Sequence, residues 1–144
     1  MSDTDPGAAP PPAWFRILAV LAALWEAFGC FMYLSQVTVD PATLPLDQRA
    51  TWNATPAWSI GAYAIAVWVG LVGAVLLILV RRQSVPLLFV SLLAVAVQFS
   101  ALIVVPDLSG NISSDMLLLP VVIFLVCYGI FHLALLGKKR GWLR

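Results

Sequence analysis

The sequence predicts an all-α fold: a polytopic membrane protein built as a four-transmembrane-helix bundle with both termini on the cytoplasmic side (N-in/C-in). Three observations predict it. Of the 144 residues, 62% are hydrophobic and only 10% charged, with a mean hydropathy of +0.97, whereas a soluble domain carries about 25% charged residues. The apolar residues fall in four long blocks rather than at amphipathic spacing. The Lys and Arg residues collect in alternate connections, as they do in oriented membrane proteins.

A helix rises about 1.5 Å per residue, so crossing an apolar core of about 30 Å takes about 20 apolar residues. Residues 14–35, 57–80, 85–105 and 116–137 meet that length. Turn formers or charges close each block: Asp40 and Pro41, then Arg81 and Arg82, then Pro106 and Asp107, and finally Lys138, Lys139 and Arg140. Pro86 falls in a first helical turn, where its missing N–H costs nothing. Pro120, one turn into the last block, predicts a mild local distortion. Residues 1–13 read as a disordered Pro-rich cytoplasmic leader. This leader is acidic (Asp3, Asp5), and the first block is long and contains Glu26, which suits an uncleaved first helix rather than a signal peptide.

Orientation follows from the loop cations. Arg16, Arg81, Arg82, Lys138, Lys139, Arg140 and Arg144 fall on one side, and Arg49 alone on the other, beside Asp40, Asp47, Asp107 and Asp115. Positive charge marks the cytoplasmic side. The basic tail, residues 138–144, reads first as a topology anchor. It is also a possible contact for anionic lipid, because clustered cations beside an indole attract acidic headgroups. A net charge of +1 gives no ground for a nucleic-acid partner.

In the long outer connection, residues 46–52 suit a short interfacial helix with Leu46, Ala50 and Trp52 toward lipid and Asp47 and Arg49 in water. The sequons at Asn53 and Asn111 lie close to the membrane and read as chance matches.

Glu26 is the one acid inside a span, about 18 Å along the first helix from Trp14. An ionised carboxylate at the bilayer centre costs about 2.5–3.5 kcal/mol on insertion scales. Glu26 is therefore expected to face the bundle interior or a wet cavity, or to be protonated. Counting depth along the neighbouring spans brings Gln98 and Trp68 to its level, which suggests a Glu26–Gln98 hydrogen bond with the Trp68 indole nearby. Tyr33 and Gln36 extend the Glu26 face of the first span. Ser91 shares a face with Gln98. Ser59, Ala62, Ala66, Gly70 and Gly73 form a small-residue stripe that suits close helix packing. Tyr33, Gln36, Trp52, Trp58 and Tyr63 gather near the outer face, as an aromatic belt or the wall of a vestibule. His132 reads as an interfacial side chain reaching for water, with a proton relay as the sharper alternative.

Two resemblances bear on this reading. The run Trp25, Glu26, Ala27, Phe28, Gly29, together with Tyr33 and Gln36, resembles a family of uncharacterised small four-helix bacterial inner-membrane proteins. So do the stretch from Pro56 through Trp58 to Trp68 and Gly70, and Arg81 with Arg82. The likeness covers the chain from Trp14 onward. Some members carry a sugar-transporter label, and the family implies a bacterial inner-membrane location. More locally, Glu26 followed by Gly29, and the run from Ala62 and Tyr63 to Trp68 and Gly70, are similar to the small multidrug-resistance exporters. Here that run sits in the second span, whereas those exporters carry it in the third, so their mechanism is not carried over.

One His, two separated Cys (Cys30 and Cys127) and a single intramembrane acid offer no catalytic or metal-binding constellation. No enzyme activity, cofactor or metal is expected. The functional expectation is a small-solute or proton-coupled transporter acting as a homo-oligomer, with Glu26, Gln98, Trp68 and Tyr33 as candidate residues. The alternative is a non-transporting structural or accessory membrane protein in which Glu26 is a packing residue.

Overall fold

The computed structural model describes residues 9–110 and 113–144. The leader's first eight residues, and Asn111 with Ile112 of the second sequon, lie outside the described residues. In chain order the elements are α1 (Ala13–Thr38), a 3-10 turn (Pro41–Thr43), α2 (Leu46–Ala54), α3 (Ala57–Ile78), α4 (Ser84–Val104), α5 (Pro106–Ser109) and α6 (Ser114–Lys139). No strand occurs among the described residues. The long helices α1, α3, α4 and α6 are each long and apolar enough to cross a membrane.

Prolines begin several helices. Pro12, Pro45 and Pro56 immediately precede α1, α2 and α3, and Pro106 opens α5. The preset φ of the ring suits a helix start, and the missing N–H falls where no intrahelical acceptor exists. The α1 helix runs three residues past the expected 35 and ends at Thr38. Its late hydroxyls bond back to carbonyls one turn earlier, Ser35 Oγ to Phe31 O at 2.9 Å and Thr38 Oγ1 to Leu34 O at 2.7 Å. Polar residues there do not break the helix, because the helix satisfies them itself.

The helices pack in the order α1, α3, α4, α6, with α3 against α4 the most extensive pairing and α1 against α6 the slightest. Neighbours run antiparallel. Along α1 and α3, Tyr33 meets Tyr63 and Glu26 meets Gly70; along α3 and α4, Ser59 meets Gln98 and Gly73 meets Leu88. The five small residues of the α3 stripe, Ser59, Ala62, Ala66, Gly70 and Gly73, are all buried. In lipid no hydrophobic force drives helices together, so close backbone approach supplies the attraction. Large apolar side chains such as Leu24, Phe31, Ile65, Leu93 and Leu125 cover the outside, which suits a hydrocarbon surround.

The start of α1 and the C-terminal tail meet at one end of the bundle, called here the termini end. Phe15 of α1 is 1% exposed. It lies so close to Gly137 of α6 that a Cβ there would stand 2.8 Å from its Cζ. Trp142 closes over it, with ring centroids 5.2 Å apart.

Two helices end at this end in the same way. After α6, Gly141 (φ 71°) allows Gly141 N to reach Lys138 O and Trp142 N to reach Gly137 O. After α3, Val80 (φ 61°) does the same, with Val80 N on Leu77 O and Arg81 N on Leu76 O. Both are Schellman caps, whose left-handed residue is ordinarily glycine. A β-branched residue there is a true outlier. The tail holds it: Arg144 N donates to Val80 O and Arg82 N to Arg144 O, both at 2.8 Å, while Arg82 Nε donates to Leu143 O.

At the opposite end, α2 forms where a short interfacial helix was expected, with Leu46 82% exposed. Arg49 folds back from α2 and donates to the carbonyls of Pro41, Ala42 and Leu44.

Candidate functional site

The α1 helix places Glu26, Gly29, Cys30 and Tyr33 along one face, because three- and four-residue steps return to the same side. That face packs on α3. Gly29 lies against Val67, and the Cys30 thiol points to Val67 O at 3.4 Å. Glu26 comes next toward the termini end and is only 5% exposed. Its carboxyl lies over Gly70, where a Cβ would stand 2.7 Å from Glu26 Cδ and 2.8 Å from Ser91 Oγ. Three helices thus converge on one point: α1 brings the acid, α3 a notch without a side chain, and α4 a hydroxyl.

Ser91 Oγ donates to Ala66 O at 2.7 Å. Its proton is thereby engaged, which leaves the oxygen's acceptor capacity unused. The fourth helix contributes Cys127, which is buried in a cluster with Ala66 of α3 and Leu92 and Val95 of α4. Glu26 itself makes no hydrogen bond among the described residues. No group of three or more His, Cys, Asp or Glu side chains that could hold a metal ion occurs among the described residues.

Of the residues named from the sequence, Tyr33 joins this face and the other two do not meet the acid. Tyr33 packs edge-on against Tyr63 with centroids 5.3 Å apart, two turns from Glu26 toward the opposite end. Gln98 makes no hydrogen bond to Glu26; its backbone carbonyl instead accepts from Ser59 Oγ at 3.2 Å. Trp68 lies close to the level of Gly70 but is 44% exposed on the outer side of α3. Depth counting misplaced Gln98 because it assumed that all spans start level. Ser91 is seven residues into α4, or about 10.5 Å, yet Glu26 is thirteen residues into α1, or about 19.5 Å. The start of α1 reaches further toward the termini end than that of α4, so α4 presents Ser91 rather than Gln98.

The sequence reading missed Gly70 and Ser91 as the residues that meet the acid, and Cys127 as a side chain of α6 buried in the bundle. Gly70 carried a signal as one of the two small residues of the stripe, with Ala66, that flank the expected depth of Glu26 at Trp68. Cys127 carried none, since nothing in the sequence shows which face of α6 turns inward. His132 is exposed on α6 and stacks on Tyr128. A cleft of about 980 Å³ at the opposite end is lined by residues such as Asp47, Thr51 and Asn53 and not by the predicted vestibule aromatics.

A fold of four apolar helices around one buried acid defines a multi-pass membrane protein. No protein-family model, curated protein or solved structure matches the chain.

Proposed function

We propose that this protein is a proton-coupled transporter of a small solute, with Glu26 alternating between a proton and the solute. One observation carries the reading: Glu26 is a buried residue, 5% exposed, within the helix bundle, and its carboxyl makes no hydrogen bond among the described residues. A carboxyl kept only for packing is expected to be satisfied by a neighbour, because an unsatisfied polar group in an apolar interior is expensive. An acid that must release and rebind a proton needs a site without a permanent partner. The weakly bonding Cys30 thiol one turn along α1 and the Ser91 hydroxyl, already donating to Ala66 O, suit such a site. The edge-on Tyr33 and Tyr63 pair lies along the same face toward the opposite end, where a solute would enter.

Two further features belong to this reading. The termini end, which carries Arg16, Arg81, Arg82 and the basic tail, is cytoplasmic by the positive-inside rule, in a bacterial inner membrane as the family resemblance implies. The working unit is a homo-oligomer. In support, only 11% of the apolar window of α6 is buried within the chain, against 39% for α3, which leaves α6 a broad surface for a second copy.

The test is reconstitution of wild type and Glu26→Gln in liposomes under a pH gradient. Tetraphenylphosphonium and glucose serve as cationic and neutral probes, and an internal pH-sensitive dye reports proton flux. Gradient-dependent uptake of either probe, lost in Glu26→Gln, is expected. If neither probe moves and the dye reports no protein-dependent flux, the transport reading fails, and Glu26 is a packing residue of an accessory membrane protein.

A further inference from the structure

We propose that the termini end of the bundle carries a binding site for a phosphate-bearing anion, formed by Arg16, Arg81 and Arg144. These residues come from three separate parts of the chain: the start of α1, the α3–α4 turn and the tail. They line one cleft of about 430 Å³, with Trp142 and Val80 between them. Among the described residues, none of the three guanidinium groups makes a hydrogen bond or an ion pair. The neighbouring Arg82, by contrast, is engaged on Leu143 O.

Three guanidinium groups at one cleft concentrate positive charge there, which favours an anion. The backbone brings them together by unusual means. Arg81 follows Val80, which holds the left-handed conformation normally reserved for glycine, and Arg144 is fixed by its two 2.8 Å backbone bonds to Val80 and Arg82. Both arginines are therefore set by backbone geometry and not merely strewn along a loop. Guanidinium forks match the paired oxygens of a phosphate, and basic pockets between helices at a membrane face are suited to lipid headgroups. Trp142 supplies the interfacial aromatic that such a site uses. The sequence alone pointed to the tail as a whole, but Lys138, Lys139 and Arg140 do not line the cleft.

The shared chemistry is a phosphate oxyanion, and its source is either an anionic lipid headgroup or a soluble phosphate. The experiment places the full chain in nanodiscs of phosphatidylcholine, with or without phosphatidylglycerol, and titrates inorganic phosphate into the former. Thermal unfolding reads binding in the nanodiscs, and native mass spectrometry in neutral detergent counts retained phosphatidylglycerol. Wild type is compared with Arg81→Gln/Arg144→Gln and with Lys138→Gln/Lys139→Gln, which removes equal charge outside the cleft.

Stabilisation by phosphatidylglycerol or by phosphate is expected, with affinity weakened about tenfold or more in the cleft variant and nearly unchanged in the lysine variant. Response to phosphatidylglycerol alone identifies a headgroup site, and response to phosphate identifies a soluble ligand. If the double arginine variant does not fold, Arg16→Gln, which gives up no hydrogen bond of the described chain, takes its place. Absence of any response, or equal weakening in the lysine variant, overturns the proposal.

Discussion

The Glu26 carboxyl fills the space that a side chain at Gly70 would take: a Cβ at that glycine would stand 2.7 Å from Glu26 Cδ. Acid and glycine are thus one steric unit built from two helices. The pairing explains why α1 and α3 approach closely at this level, and it makes the two positions energetically dependent on each other.

Gly70→Ala is therefore expected to lower stability by about 1–3 kcal/mol, the range for overpacking a filled interior. Removing the acid in the same chain with Glu26→Ala frees the space. The double variant should recover at least about 1 kcal/mol relative to the sum of the single changes. Thermal unfolding of the four proteins in detergent measures this. Simple additivity would show that the carboxyl does not occupy the notch.

Two buried serines on α4 should respond with opposite signs. Ser91→Ala loses the 2.7 Å bond to Ala66 O and should cost about 0.6 kcal/mol, the average for interhelical bonds within a membrane. Ser84 is fully buried, and its Oγ has no hydrogen-bond partner among the described residues. Ser84→Ala removes an unsatisfied hydroxyl and should stabilise by about 1 kcal/mol. Denaturation midpoints of the two variants against wild type decide the matter; a loss for Ser84→Ala points instead to an ordered water on that hydroxyl.

Glycine matters at position 141 for its backbone, not for its size. Nothing lies within 4 Å of a Cβ built there, yet its φ is 71°. Gly141→Ala should cost about 1–2 kcal/mol from the left-handed conformation alone and loosen the tail. Gly61, equally open but helical, should accept alanine with no loss or with a gain of up to about 1 kcal/mol. The same melting assay separates the two cases, and amide exchange at Arg82 and Arg144 reports whether the tail has come free.

Arg49 is the lone cation of its side, and three backbone carbonyls hold its side chain. Arg49→Ala should release the 3-10 turn from α2 without disturbing the four long helices. Hydrogen exchange should quicken about tenfold or more across residues 41–55, in keeping with a charged hydrogen bond worth about 1.5–3 kcal/mol. Exchange in α3 and α4 should stay as in wild type. Unchanged protection in the loop would mean that the clamp contributes nothing to its order.

The sequence by itself determined the class of fold and the approximate bounds of each span. Those follow from the bilayer: about 20 apolar residues are needed to cross it, and that requirement is a matter of composition along the chain. It also singled out Glu26, because an acid within an apolar block stands out wherever it points. Only the tertiary structure decided what Glu26 meets. Helix stagger moved the facing residue on α4 from Gln98 to Ser91, and the turn of each helix about its axis put Trp68 outside and Cys127 inside. Those quantities depend on how side chains of neighbouring helices fit together, which no counting along one helix supplies. The arginine cleft is of the same kind. Its three residues are scattered through the sequence, and they meet because Val80 takes a glycine's conformation and the tail bonds back to it.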